Sequence, residues 1–536
     1  MEHLSYAYGT NHFESDPELQ AALKHFWPEH STHWAHLSQF GALAGKELYE
    51  AAYHIDHEAP PVLVAHNLDG ERVDRVRLSP TERQALADTA WILSPPYHND
   101  SWLYHYALLY LLADPGLGCV LTITTQTALA LHKYANEHIP NAAGIKESLL
   151  TGRAWGGTWM TESQGGSDLG ANETSAQPVG DVWHLTGDKY FASGAGLTDY
   201  AITTARPQGA PAGPKGLALF LLPRLNRQGT LNYHVRRLKD KSATRAVPSG
   251  EVELNQSEAY LLGEANLGIY YTLENLTESR LANSVVAMGI GKKAHLEVLS
   301  RVIHRQSFGH PLQHHPLIRR DLTDLAVRSA AGLALTFYGA QKFDASFEDR
   351  PPYPKRYHLT RLVTHLAKSR TAEHGAAMTA MAMELFGGLG FLEEYGVARW
   401  HREALITPIW EGPSNIQALD FLETISRHHA HEAFLTEMVP MLEHAATPDA
   451  HVARTVLEKT LEDLSRLHGR EAEWHAKQTL TRIADATQVA LLYDMATDQG
   501  DRYARLAELY ARHFLHHEEY PYDVDQDPTI WEGVVE

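Results

Sequence analysis

Apolar residues in the first 150 positions recur at helical spacing, as at Trp102, Tyr106, Leu109 and Leu112, and no convincing two-residue alternation interrupts them. This part is expected to be mainly helix. The texture changes near Thr151. Val182-Trp183-His184-Leu185-Thr186-Gly187 reads as a short strand ending in a turn, with Lys189-Tyr190-Phe191 beyond it. Ala218-Leu219-Phe220-Leu221-Leu222 is a continuous apolar run stopped by Pro223, the pattern of a buried strand. Val235 and the stretch from Glu251 to Leu254 extend the series between Gly, Pro and Asn breaks. Helical spacing then returns, with long helices expected over residues 274–304, 316–342 and 358–386. Pro351-Pro352 and Gly387-Gly388 separate elements, and a shorter helix should follow Pro413. The last hundred residues again look helical, and no internal repeat is present. The pattern predicts an α+β multidomain chain: a helical domain over 1–150, a β domain over 151–265, a helix bundle over 266–430 and a helical extension over 431–536.

Composition narrows the class. The chain has 536 residues, room for three or four domains, and its 44% hydrophobic content suits a full core. Only the last dozen residues read as open to disorder by composition. Cys119 is the sole cysteine, so a disulfide framework is excluded and a reducing compartment fits. The best apolar run, Trp102 to Ala113, is too short for a membrane span and contains His105. The start, Met-Glu-His-Leu-Ser-Tyr, lacks the basic and apolar parts of a signal peptide, so a cytoplasmic location is expected. The net charge of −20 disfavours nucleic acid and anionic membranes. Residues 431–536 hold nine Lys+Arg against 21 Asp+Glu, a net of −12. Although there are 34 histidines, the pairs His314-His315 and His516-His517 lack the i, i+4 spacing of helical metal ligands, and no metal site is expected.

Three constellations carry chemistry. Met160-Thr161-Glu162-Ser163-Gln164-Gly165-Gly166-Ser167-Asp168 opens the β domain. Its glycines allow close backbone approach to a ligand, and Thr161 and Ser167 offer hydroxyls. Read alone, it is a polar Gly turn, and its glycine spacing is not that of a dinucleotide fingerprint. Glu384-Leu385-Phe386-Gly387-Gly388-Leu389-Gly390-Phe391, followed by Glu394, Arg399 and Glu403, reads as a helix C-cap and loop. Ile409-Trp410-Glu411-Gly412-Pro413-Ser414-Asn415-Ile416 places a carboxylate in a loop entering a helix; alone, Glu411 would read as a surface glutamate.

Together these motifs resemble the acyl-CoA dehydrogenase family over about residues 80–430. Thr161 to Asp168 match its Thr-Glu-x-x-x-Gly-Ser-Asp signature. Glu384, Gly387, Gly388, Gly390, Phe391, Glu394, Arg399 and Glu403 fill a second, and Arg305-Gln306-Ser307-Phe308-Gly309 looks like an Arg-x-x-Phe-Gly segment. Gln164-Gly165-Gly166, Trp410-Glu411-Gly412 and the C-terminal extension are similar to the AidB-type, adaptive-response branch. Two positions depart from the family. Pro316 stands where many relatives carry a glutamine that touches FAD, and Trp159 replaces a small residue.

The resemblance implies a fold with an N-terminal helical domain, a middle β-sandwich or barrel and a C-terminal helix bundle, here with an extra helical extension. It implies FAD as cofactor and α,β-dehydrogenation of an acyl-CoA thioester to a trans-2-enoyl product, with the β-hydride going to the flavin. Glu411 would be the base for the α-proton, and its backbone N–H, with a flavin ribityl hydroxyl, would hold the thioester oxygen. Some relatives carry the base on the long helix just before an arginine; here that arginine is Arg280, preceded by Ser279, with Glu278 the one nearby competitor. Arg280 would shape the site or touch the CoA portion. Carried over residue by residue, Met160, Thr161, Ser167, Phe191, Ala192 and Ser193 would contact the flavin. Ile409, Trp410, Gly412, Asn415 and Ile416 would lie beneath it. Arg305 and Phe308 would reach FAD held by a neighbouring subunit, implying a homotetramer. Electrons would pass to an electron-transfer flavoprotein or, in an oxidase, to oxygen. The AidB branch also suggests duplex DNA binding through the extension, which its charge argues against.

Overall fold

The computed structural model of the chain describes residues 4–98 and 100–531. It contains two compact units. One comprises residues up to 49, 101–114 and 280 onward; the other comprises 50–100 and 115–279.

The second unit is built on a seven-stranded sheet. Tyr200–Pro207 pairs with Ala218–Pro223, which pairs with Ser249–Leu261. Ser249–Leu261 pairs with Val182–Ser193, which pairs with Ser175–Val179. That strand returns to the end of Tyr200–Pro207, so the ladder closes into a small barrel. The apolar run Ala218–Pro223 is a central strand, buried at five of its six positions, as its uninterrupted hydrophobicity requires. Trp159, Phe220, Leu222, Tyr233 and Leu254 fill the core.

Two expectations need correction here. Gly187 does not close a turn: Val182–Ser193 is one continuous strand, with a register irregularity between Leu185 and Gly187. Glycine in a strand interior marks such a bulge, and a Cβ here would lie 2.4 Å from the Thr174 hydroxyl. The first 150 residues also contain a hairpin, Val62–His66 with Arg72–Arg77. Its first strand is a short apolar run without alternation and its second is largely charged, and the turn carries the signal instead. Asn67 accepts from the Asp69 and Glu71 amides at 3.0 and 2.8 Å, and Gly70 sits at φ +80°.

The first unit is helical. Trp102–Leu112, capped by Ser101, is buried at every position, as a helix apolar on all sides must be. Pro316–Asp344 and Lys355–Phe386 run antiparallel through the bundle, and Gly268–His304 contributes residues to both units. Ser414–Ser426 follows Pro413.

The extension continues with Ala430–Ala445, Pro448–Ser465, Arg470–Gln499 and Asp501–Tyr510. It is stitched to the bundle by buried polar contacts. Asp485 accepts from Arg370 of the bundle at 2.6 Å, and the Tyr520 hydroxyl donates to Asp324 at 2.8 Å. Order extends into the last dozen residues: Pro528–Trp531 is helical, with Ile530 and Trp531 buried. Residues 532–536 lie outside the described range. No helix among the described residues is long and apolar enough to cross a membrane, and none of their His, Cys, Asp and Glu groups could hold a metal ion.

His12, His295, His365 and His374 are buried in this helical unit, and burial holds each imidazole far below its usual 6.5; for the first three the value is about 3. Each stays neutral when folded but binds a proton near 6.5 when unfolded, so their stabilising balance is lost as pH falls below about 6.5. Among the described residues, neither ring nitrogen of His295 has a hydrogen-bond partner. His295→Leu should therefore fold and should flatten the loss of stability between about pH 7 and 5 by close to one proton. Urea unfolding followed by circular dichroism across that range measures it; an unchanged slope contradicts the assignment.

Candidate active site

Glu411 and Gly412 lie in the loop between the helices Gly396–Ala404 and Ser414–Ser426. Both have left-handed backbones, at φ +59° and +92°. Gly412 needs this freedom. A Cβ there would lie 3.0 Å from the Gln417 amide nitrogen and 3.1 Å from the Ile416 side chain, and the following proline disfavours the helical region. For Glu411 the same conformation costs about 1–3 kcal/mol, a strain that surrounding contacts must hold.

The holding contacts are side-chain donors. The Glu411 carbonyl accepts from Arg280 Nε at 2.9 Å and Gln417 Nε2 at 3.0 Å. The Gly412 carbonyl accepts from Lys368 Nζ at 2.8 Å and Gln417 Nε2 at 2.9 Å. His365 Nδ1 lies 2.9 Å from Gln417 Oε1. Burial, reinforced by Arg280, holds this imidazole at about 3, so it is neutral and donates from Nδ1, which fixes the amide with Nε2 toward the loop. Arg280 is in turn bound to Asp420 at 2.9 Å. Burial raises the Asp420 carboxyl, but Arg280, His365 and Arg361 more than offset it and leave it below the usual range. Trp410 is anchored through its indole N–H to Asn283.

Glu411 is thus a half-buried carboxylate residue on a loop whose backbone cannot easily turn. Arg280 shapes that loop. Glu278, by contrast, is fully buried. Ile409 is 60% exposed, Trp410 and Ile416 are half-buried, and Asn415 is exposed.

The second constellation, in the other unit, is organised by Glu162, to which the sequence reading assigned no role. Its buried carboxylate accepts from Lys189 at 2.8 Å, from Gln164, and from the backbone amides of Glu173 and Thr174. Lys189 also donates to the Thr204 carbonyl. The Tyr190 amide donates to the Thr161 carbonyl at 2.9 Å, which brings the Met160–Ser167 loop beside Phe191–Ser193. Met160 and Ala192 are buried, whereas Phe191 is 52% exposed. Trp159 proves to be a core residue: it packs edge-on against Tyr233 and donates to the Ser193 carbonyl at 2.8 Å. Among the described residues, the hydroxyls of Thr161, Ser167 and Ser193 and the Asn415 amide have no hydrogen-bond partner.

Arg305 and Phe308 sit on a two-residue hairpin in the first unit. Gln306 pairs with Pro311 and Ser307 with His310, and the turn residues Phe308 and Gly309 have φ +48° and +83°. Phe308 is 94% exposed. In the glycine-rich segment, Gly387 ends its helix at φ +62°, and a Cβ on Gly390 would lie 2.1 Å from the Met383 carbonyl. Arg399 and Glu403 are buried, with Arg399 paired to Asp114, so these two signature residues serve the core. Pro316 occupies the first turn of its helix.

The residues missed by sequence reasoning are Lys368, His365, Gln417, Asp420, Asn283 and Glu162. A faint signal existed for two of them: His365 and Lys368 are polar and three apart, so they share one face of the helix expected over 358–386.

Comparison with known families and proteins agrees with this architecture. Residues 5–146 match the adaptive response protein AidB N-terminal domain, 157–257 the acyl-CoA dehydrogenase middle domain and 266–426 its C-terminal domain. The chain is 30% identical to the AidB protein of Escherichia coli (strain K12) over 397 residues, covering 69% of this chain and 70% of that protein. It is 27% identical to acyl-CoA dehydrogenase family member 11 of Caenorhabditis elegans over 533 residues, 91% of this chain and 85% of that one. The solved structure Bd2924 in its apo form superposes with a TM-score of 0.81 at 28% identity, covering 91% of this chain and 99% of that one. The chain therefore belongs to the acyl-CoA dehydrogenase family, in its AidB-type branch, and is an oxidoreductase of that flavin-dependent family.

Proposed function

We propose that the chain binds FAD and oxidises the Cα–Cβ bond of an acyl-CoA thioester to the trans-2-enoyl product, with Glu411 as the α-proton base. The observation that carries this reading is the Glu411 loop: a carboxylate residue held in a strained backbone state by four side-chain hydrogen bonds to its own and the next carbonyl. Strain that surrounding contacts over-determine in this way marks functional positions.

The available donors fit FAD. The unpartnered hydroxyls of Thr161, Ser167 and Ser193 can bond its polar edge, and exposed Phe191, in the same unit, can lie against its ring system. Met160 and Ala192 are buried and would contribute through their backbones. The chemistry that FAD supplies when bound is acceptance of the β-hydride. Glu411 takes the α-proton, and the fixed loop saves the cost of orienting the carboxylate at each turnover. Arg280, Gln417 and Lys368 hold that loop. Electrons then leave to a partner flavoprotein or to oxygen.

Exposure of Phe308, on a hairpin tip where burial within its own chain does not repay its backbone strain, supports an oligomer in which Arg305 and Phe308 meet FAD of a neighbouring subunit. Three arginines of the extension that could form a basic stripe argue against the DNA-binding reading. Arg502 pairs with Glu18 at 2.7 Å, Arg505 with Glu508 and Asp523 at 2.7 and 2.9 Å, and Arg512 with Glu518 at 3.0 Å. Guanidinium groups so engaged are poor counterions for phosphate.

Purified protein should be yellow and release FAD on denaturation. Glu411→Gln should retain FAD but lower the rate of anaerobic flavin bleaching by acyl-CoA by about 10²–10⁴-fold, the usual worth of a general base. Release of FMN alone, or bleaching of the variant at the wild-type rate, contradicts the reading.

Light scattering should report a homotetramer. Phe308→Ser should weaken both its assembly and its hold on FAD. A monomer that retains FAD tightly contradicts the shared site.

Fluorescence anisotropy with short duplex DNA at physiological salt should show no binding tighter than about 10⁻⁵ M. Submicromolar binding that falls steeply with salt would instead restore a DNA-associated role.

A further inference from the structure

Lys368 is buried, 1% exposed, on the helix Lys355–Phe386. A buried ammonium ordinarily has a carboxylate to offset its lost hydration. Among the described residues Lys368 has none within ion-pair distance, and its hydrogen bond goes to the Gly412 carbonyl at 2.8 Å. Charged and titratable groups surround it on every element of the loop site. Arg280 lies on Gly268–His304, His365 on the helix of Lys368 itself, Glu411 on the loop and Asp420 on Ser414–Ser426. Asp420 is committed to Arg280, and His365 is neutral.

We infer that Lys368 is a positioning residue for proton abstraction: its ammonium holds the Gly412 carbonyl and thereby keeps Glu411 in the left-handed state that aims its carboxylate. The inference rests on the reading of Glu411 as base. Four bonds hold the two carbonyls, and their division leaves Lys368, among the described residues, as the one charged donor to the Gly412 carbonyl. Gln417 reaches both, Arg280 reaches that of Glu411, and Lys368 supplies the charged donor to that of Gly412. A charge-assisted hydrogen bond is roughly twice as strong as a neutral one, so removing it frees the Gly412–Pro413 end of the loop first.

Titration follows from the same surroundings. Burial, then repulsion by Arg280, bring the ammonium down to about 7, while Glu411 acts in the opposite direction. The charged form is present below that value and lost above it, so the grip on Gly412 weakens as pH rises through neutrality. The positive charge beside Glu411 disappears over the same interval.

The test uses the FAD-loaded enzyme and the best substrate of a series of saturated acyl-CoA thioesters, with stopped-flow bleaching per bound FAD across neutral pH. Lys368→Met should lower the limiting rate about tenfold to a hundredfold with KM little changed, as expected for loss of a charged hydrogen bond. It should also abolish the inflection near pH 7. Lys368→Arg, which stays charged, should recover most of the rate and lack that inflection. A Lys368→Met enzyme with the wild-type rate and pH profile overturns the inference. So does one that loses only thermal stability or FAD content while the rate per bound FAD and its profile stay unchanged. If Lys368→Met yields no holoenzyme, Lys368→Arg decides alone, and a retained inflection near pH 7 overturns the inference. Glu411→Gln run in parallel separates the two ideas: continued bleaching there defeats the base assignment, whereas a dead Glu411→Gln beside a normal Lys368→Met defeats the role of Lys368 alone.

Discussion

The carbonyls of Glu411 and Gly412 belong to no helix or strand, yet they are held by side chains from three helices. Arg280 comes from Gly268–His304, Lys368 from Lys355–Phe386 and Gln417 from Ser414–Ser426. A buried carbonyl left without a donor costs about 1–3 kcal/mol, so the loop keeps its conformation only while all three helices keep their register. Any shift of one helix along another would withdraw a donor. The two left-handed residues, Asp420 against Arg280 and His365 against Gln417 all follow from this requirement.

The same helical unit spends its other buried charges on cohesion. Lys292 sits between Asp16 and Glu18, and Glu18 also receives Arg502 from the extension. Asp485, Arg370, Tyr510, Gln488 and His374 form a second network between the extension and the bundle. Removing one partner of such a network leaves a buried charge or donor unpaired, a loss larger than any surface ion pair could offset. The extension is therefore part of the body of this unit, and part of its acidity is used to hold arginines.

In the β unit, one buried ion pair has a comparable role. Glu162 and Lys189 tie the Met160–Ser167 loop to the strand that carries Phe191, Ala192 and Ser193, and Trp159 holds the Ser193 carbonyl from the core side. Substituting a large indole for a small residue is tolerated because the barrel interior accepts it against Tyr233, and its N–H finds a carbonyl.

Local pattern determined much of this protein. The apolar run Ala218–Pro223, the helix starts at Trp102 and Pro316 and the break at Gly387 are properties of short segments, where periodicity, caps and glycine act over a few residues. The ordered signatures around Thr161, Gly387 and Glu411 likewise pointed to the family, because their spacing is itself a property of the sequence. Tertiary structure decided what depends on distant partners. The hairpin at 62–77 and the bulge at Gly187 depend on pairing with neighbouring strands, and the Thr174 side chain leaves no room for a Cβ at 187. Folding sets Arg502 against Glu18, 484 positions away. Folding brings the Lys368 ammonium to a carbonyl 44 positions on. Hydrogen bonds and ion pairs form between whatever groups folding brings within about 3 Å, and a linear pattern contains no term for that distance.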